Sequence, residues 1–258
     1  MVRDRGFLAS SALVFVASAA GTIYWSRTMS GGGMPMPGGW TLSMAWMRAP
    51  GQSWFAAGAT FMAMWVVMMV AMMLPSLVPV LSSHRRALCE RRETGLAGLT
   101  TLAGAAYFFV WAVYGAAAYA LGGGLTAAEM QWPAVARYMP LATGVVLLLA
   151  GAVQLTAWKA RQLGGCWDAL RCGGPEILEA GRAWRQGLRL GVRCALCCSG
   201  FMVVLLVTGM MNLGGIALVA AAITLERLTP RPERVARALG VVVMAAGALL
   251  IARALAAA

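Results

Sequence analysis

Across 258 residues the chain carries one histidine, His84, one lysine, Lys159, and nine acidic residues. That leaves little material for acid–base catalysis, which draws mainly on His, Glu, Asp and Lys. No Ser/His/Asp arrangement, phosphate loop or dinucleotide fingerprint is present, so no enzyme activity is expected. One histidine gives little ligation for haem. The lone lysine ends an apolar run instead of lying inside the last one, which argues against a retinal chromophore. Charge is scarce as well: 12% of residues are charged and 60% are apolar. This composition excludes an ordinary soluble domain and fits an all-α, polytopic helical membrane protein. The net charge of +12 does not imply a nucleic-acid partner, because the arginines fall in short segments between apolar runs. Membrane lipid is the expected surrounding, and the whole chain, 1–258, reads as a single integral membrane domain.

The apolar runs predict about seven transmembrane helices: 7–25, 54–81, 96–121, 139–158, 191–211, 216–228 and 238–255. The count falls to six if the first run is a cleaved signal, since Ser18-Ala19-Ala20 resembles a cleavage site. Between the runs, 26–53 reads as a Gly/Met/Pro-rich extracytoplasmic loop, irregular through Ser30–Gly39, with a short interfacial helix over Thr41–Arg48. Residues 122–138 read as a short loop with Trp132-Pro133, and 159–190 as a basic cytoplasmic loop whose end, from Ile177, forms an amphipathic helix. Of the 21 Lys and Arg residues, 17 fall at the N-terminus and in alternate connections, namely after the second run, from Lys159 to Arg193 and from Arg227 to Arg237. The positive-inside rule then puts the N-terminus in the cytoplasm.

What the chain does have is sulfur, with 6 Cys and 18 Met. Cys194, Cys197, Cys198 and Met202 recur at spacings of three and four, so on a helix they share one face. A single buried cysteine is usually a small packing residue. Three within five residues, with a thioether one turn on, suggest a soft site suited to Cu(I), with Zn(II) also possible. The inferred orientation places all six cysteines near the reducing side, which disfavours structural disulfides. Arg189 and Arg193 would favour thiolate at the cluster. Cys166, in the basic loop, is a further candidate ligand. In the second run, six methionines stand in twelve residues, Met62 to Met73, ahead of Leu74-Pro75-Ser76. Met68 and Met72 share a face there and could form a thioether relay. Met29, Met34, Met36, Met44 and Met47 could collect Cu(I) at the other side, or serve as interfacial filler.

Three stretches resemble a bacterial family described as predicted metal-binding integral membrane proteins, a domain of unknown function. They are Trp65–Ser76 with its Met-Met-Leu-Pro-Ser motif, Gly151–Lys159 followed by Cys166, and Gly187–Cys198 followed by Met202, Gly209–Leu213 and Glu226. The chain departs from the family pattern at Gln162, where a second loop cysteine usually stands, and at Ser199, where an aromatic usually follows the double cysteine. The resemblance implies a multi-pass protein of the bacterial inner membrane that binds metal.

The reading that follows is a metal-handling membrane protein. It binds or relays a soft metal such as Cu(I), for transport or delivery to a membrane or metalloenzyme partner. Two others stay open: a non-catalytic accessory or assembly subunit of a larger membrane complex, and a thiol redox protein using Cys194 and Cys197.

Overall fold

A computed structural model describes residues 2–29, 34–36, 40–48, 51–90, 96–171 and 179–256. The apolar runs become helices because a backbone in lipid must satisfy its own hydrogen bonds. Those described are α1 (Val2–Met29), α2 (Trp54–Glu90), α3 (Leu96–Gln131), α4 (Pro133–Gln154), α5 (Ala157–Arg171), α6 (Ala180–Thr208), α7 (Leu213–Leu228) and α8 (Pro232–Ala256). The protein is therefore an all-α polytopic helical protein. Six of these helices, α1, α2, α3, α4, α6 and α8, are long and apolar enough to cross a membrane. The expected span at 216–228 falls in α7. Its 16 residues rise only about 24 Å, less than a hydrocarbon core of about 30 Å.

Three connections differ from their sequence reading. The expected irregular loop before α2 contains a two-stranded antiparallel ribbon, β1 (Met34–Met36) with β2 (Trp40–Leu42), pairing Met36 with Trp40. In place of a helix over Thr41–Arg48 there is one 3-10 turn, Met44–Trp46. The expected loop at 122–138 is helical to Gln131, breaks only at Trp132 and resumes at Pro133. A Cβ at Gly122 would lie 2.3 Å from the Trp46 ring, so the missing side chain is what seats that indole on α3. The basic stretch 159–190 includes most of α5 and the first three turns of α6.

Two helix pairs set the architecture. α4 and α8 run antiparallel with Gly144 against Gly247 and Gly151 against Gly240; a Cβ at any of the four would fall within about 3 Å of the opposing backbone carbonyl. α3 and α6 run parallel and also meet through glycines. Gly187 and Gly191, one turn apart on α6, face α3, where a Cβ would sit 2.2 Å from the Ala103 carbonyl oxygen and 3.0 Å from that of Tyr107. Between the second pair and α2 and α7 lies the core, built on Trp65, Met68, Met69, Met72, Met73, Tyr107, Cys194, Cys198 and Met202. α1 packs on α2, and Ser26 Oγ donates to the Met211 carbonyl across the bundle.

Candidate metal centre

The site begins with the glycine pair on α6. Because Gly187 and Gly191 bring α6 against the α3 backbone, Tyr107 on α3 reaches the next turn of α6, and its hydroxyl donates to Cys194 Sγ at 2.9 Å. The helical repeat then stacks Cys198 on Cys194, with their sulfurs 3.9 Å apart. α2 brings a third sulfur: Met73 Sδ is 3.9 Å from Cys194 Sγ. α7 brings a cation. Arg227 donates from one guanidinium nitrogen to Cys194 Sγ at 3.2 Å and to Ser76 Oγ at 2.9 Å. Ser76 in turn donates to the Met73 carbonyl at 3.0 Å, which uses its hydroxyl in both senses and ties the arginine to the helix that carries the thioether.

Beside this group lies a second buried polar cluster. Lys159 Nζ is 2.8 Å from Glu226 Oε2 and donates to the Cys197 carbonyl at 2.6 Å; both side chains are almost wholly buried. The ammonium also stands 5.3 Å from the centre of the Phe201 ring, within cation–π range. Glu226 Oε1 has no hydrogen-bond partner among the described residues. Buried ion pairs are costly, and losing one partner leaves an uncompensated buried charge. Here an acid and an arginine, adjacent in sequence, end the short helix α7. One fastens the α5 lysine and the other the α6 thiol.

The chemistry of the donor set is soft. Two thiols and a thioether meet in a dry core. Two donors on one sulfur match the lone pairs of a thiolate, the form that ligates metals. Cys194, Cys197 and Cys198 are free thiols, all buried. Among the described residues no three His, Cys, Asp or Glu side chains form a metal-holding group.

The structure brings Cys194 and Cys198 together, as the spacing predicts, and buries Cys197, Met202, Met68 and Met72 in the same core. The thioether that touches the thiol is Met73, one position beyond the Met68 and Met72 stripe. Arg189 and Arg193, expected to act on the thiols, are exposed; the arginine at Cys194 is Arg227. Lys159 and Arg227, both counted among loop cations in the sequence reading, are buried. Cys166 lies on α5, with its side chain outside the described residues, and Cys172 and the side chains of His84 and Cys89 lie outside them too. Nothing in the sequence marked Tyr107 out from the other aromatics of its helix. The neighbours Glu226 and Arg227, charged at the end of an apolar run, were the available signal for the α7 contribution.

No curated protein and no solved structure matches the chain. A family model does, over residues 62–250, a stretch that holds Met73, Tyr107, Lys159, the three clustered cysteines, Glu226 and Arg227. The chain belongs to that family, PpoB2, whose description is copper chaperone.

Proposed function

We propose that this protein holds Cu(I) within the membrane on Cys194, Cys198 and Met73, and releases it to a copper protein partner. The observation that carries this reading is the sulfur geometry. Two sulfurs each about 2.3 Å from one ion and 120° apart lie about 4.0 Å from one another. Cys198 Sγ and Met73 Sδ each stand 3.9 Å from Cys194 Sγ. A mixed thiolate and thioether set suits Cu(I) over hard cations. One thioether among the ligands keeps binding weak enough for release. Met202, Met68 and Met72 extend the soft lining of the same core and offer the next positions for a moving ion. Charge balance supports a monovalent cargo: two thiolates, one Cu(I) and the Arg227 guanidinium sum to zero, whereas Zn(II) would leave an uncompensated positive charge in a buried site.

The test is copper content by elemental mass spectrometry after Cu(I) loading under reducing conditions. It compares the purified protein with Cys194→Ser/Cys198→Ser and Met73→Leu. Near one copper per chain, lost in the double serine variant and weakened in Met73→Leu, is expected. Equal copper in all three would refute the site. A folded protein with no copper at all would favour the accessory-subunit reading, in which the same residues only pack.

A further inference from the structure

A cavity lies at the other end of α6. Cys194 and Thr208 are separated by 14 residues, about 21 Å along the helix, and near Thr208 a cavity of about 590 Å³ opens between α3, α4, α6 and α8. That volume is in the range of small-molecule sites. Its wall is apolar through Ala118, Leu121, Leu125, Leu206 and Leu250. One end is polar, with Thr126 and Glu129 on the last turns of α3. Glu129 is only 3% exposed, and its Oε2 has no hydrogen-bond partner among the described residues. A carboxylate so placed needs a cation or a proton to be tolerated.

Its depth is readable. Glu129 precedes the helix break by three residues, and Trp132 and Tyr138 beyond it are exposed, as interfacial aromatics are. From Glu129 back to Ala118 the cavity runs about 16 Å down α3, towards the middle of the bilayer. Leu121 and Leu125 are exposed on that helix, so the space is open to the lipid side. A polar end with one acid at headgroup depth, continued by an apolar slot of this length, has the shape of an amphiphile with a cationic head.

We propose that this cavity binds an aminophospholipid, with its ammonium on Glu129 and Thr126 and part of one acyl chain between Leu121, Leu125, Leu206 and Leu250. An ammonium offers three donors and a charge opposite to that of the carboxylate. A phosphatidylglycerol headgroup offers neither a cation nor relief for Glu129. The site is separate from the sulfur centre and does not depend on how copper is held.

The experiment is native mass spectrometry of the full chain released from nanodiscs of equimolar phosphatidylethanolamine and phosphatidylglycerol, for wild type and Glu129→Gln. Wild type is expected to retain phosphatidylethanolamine several-fold over phosphatidylglycerol, and the variant to retain both equally. Equal retention by wild type overturns the proposal without recourse to any variant. So does a preference unchanged in Glu129→Gln, which would mean that the acid is simply protonated in place.

Discussion

The α4/α8 and α3/α6 interfaces use the same device for different ends. Each brings two backbones together by leaving out side chains, at Gly144, Gly151, Gly240 and Gly247 in one and at Gly187 and Gly191 in the other. In the first pair glycine meets glycine, and the contact is packing. In the second the close approach continues, one turn on, into Tyr107 against Cys194, and from there into Met73 and Arg227. Close packing by itself therefore carries no chemistry. It becomes a site where the turn beyond the glycines presents a thiol to two hydrogen-bond donors, on α3 and α7, and to a thioether on α2.

The comparison can be broken most severely through charge. Glu226→Leu leaves Lys159 buried without its carboxylate and should cost about 3–5 kcal/mol of stability, read as a lower unfolding temperature in detergent. Lys159→Met added to it should restore most of the loss; if the double variant is no better than the single one, the pair is not the reason these residues are buried. Next come the glycines. Gly187→Val and Gly151→Val each place a branched side chain against backbone that cannot yield, and each should cost about 1–3 kcal/mol. Only Gly187→Val should also lower the copper affinity of the folded protein, because only there does the displaced helix carry a donor to Cys194. Equal effects of the two on copper titration would erase the distinction between the interfaces.

Arg227→Met is a smaller and more local change. Losing a charge-assisted hydrogen bond worth about 1.5–3 kcal/mol should weaken Cu(I) at least about tenfold in a competition titration and let Zn(II) compete better. Tyr107→Phe should be the mildest. It removes one hydrogen bond of about 1 kcal/mol, a change of a few-fold in the same titration with little effect on unfolding.

The helical fold was readable because hydropathy reports lipid exposure directly. The cysteine pair was readable because Cys194 and Cys198 lie on one helix, where spacing is geometry. What joins helices was not. Met73 could not be told from Met68 and Met72, since six thioethers in twelve residues give every face a sulfur. Lys159 and Arg227 follow or end apolar runs, where a topological charge and a buried one look alike in sequence. The seating of Trp46 on Gly122 was not readable either, because the two lie 76 residues apart.

The shortness of α7 has a consequence for how the protein is made. A segment of 16 residues that ends in Glu226 and Arg227 is a poor candidate for entering the bilayer unaided. The groups that neutralise its charged end, Lys159, Ser76 and Cys194, all precede it in the chain. They are already synthesised when α7 emerges, so its insertion is a docking step onto a partly assembled bundle. The arginine at the thiol arrives last, and the contacts around Cys194 are completed only when α7 has been accepted.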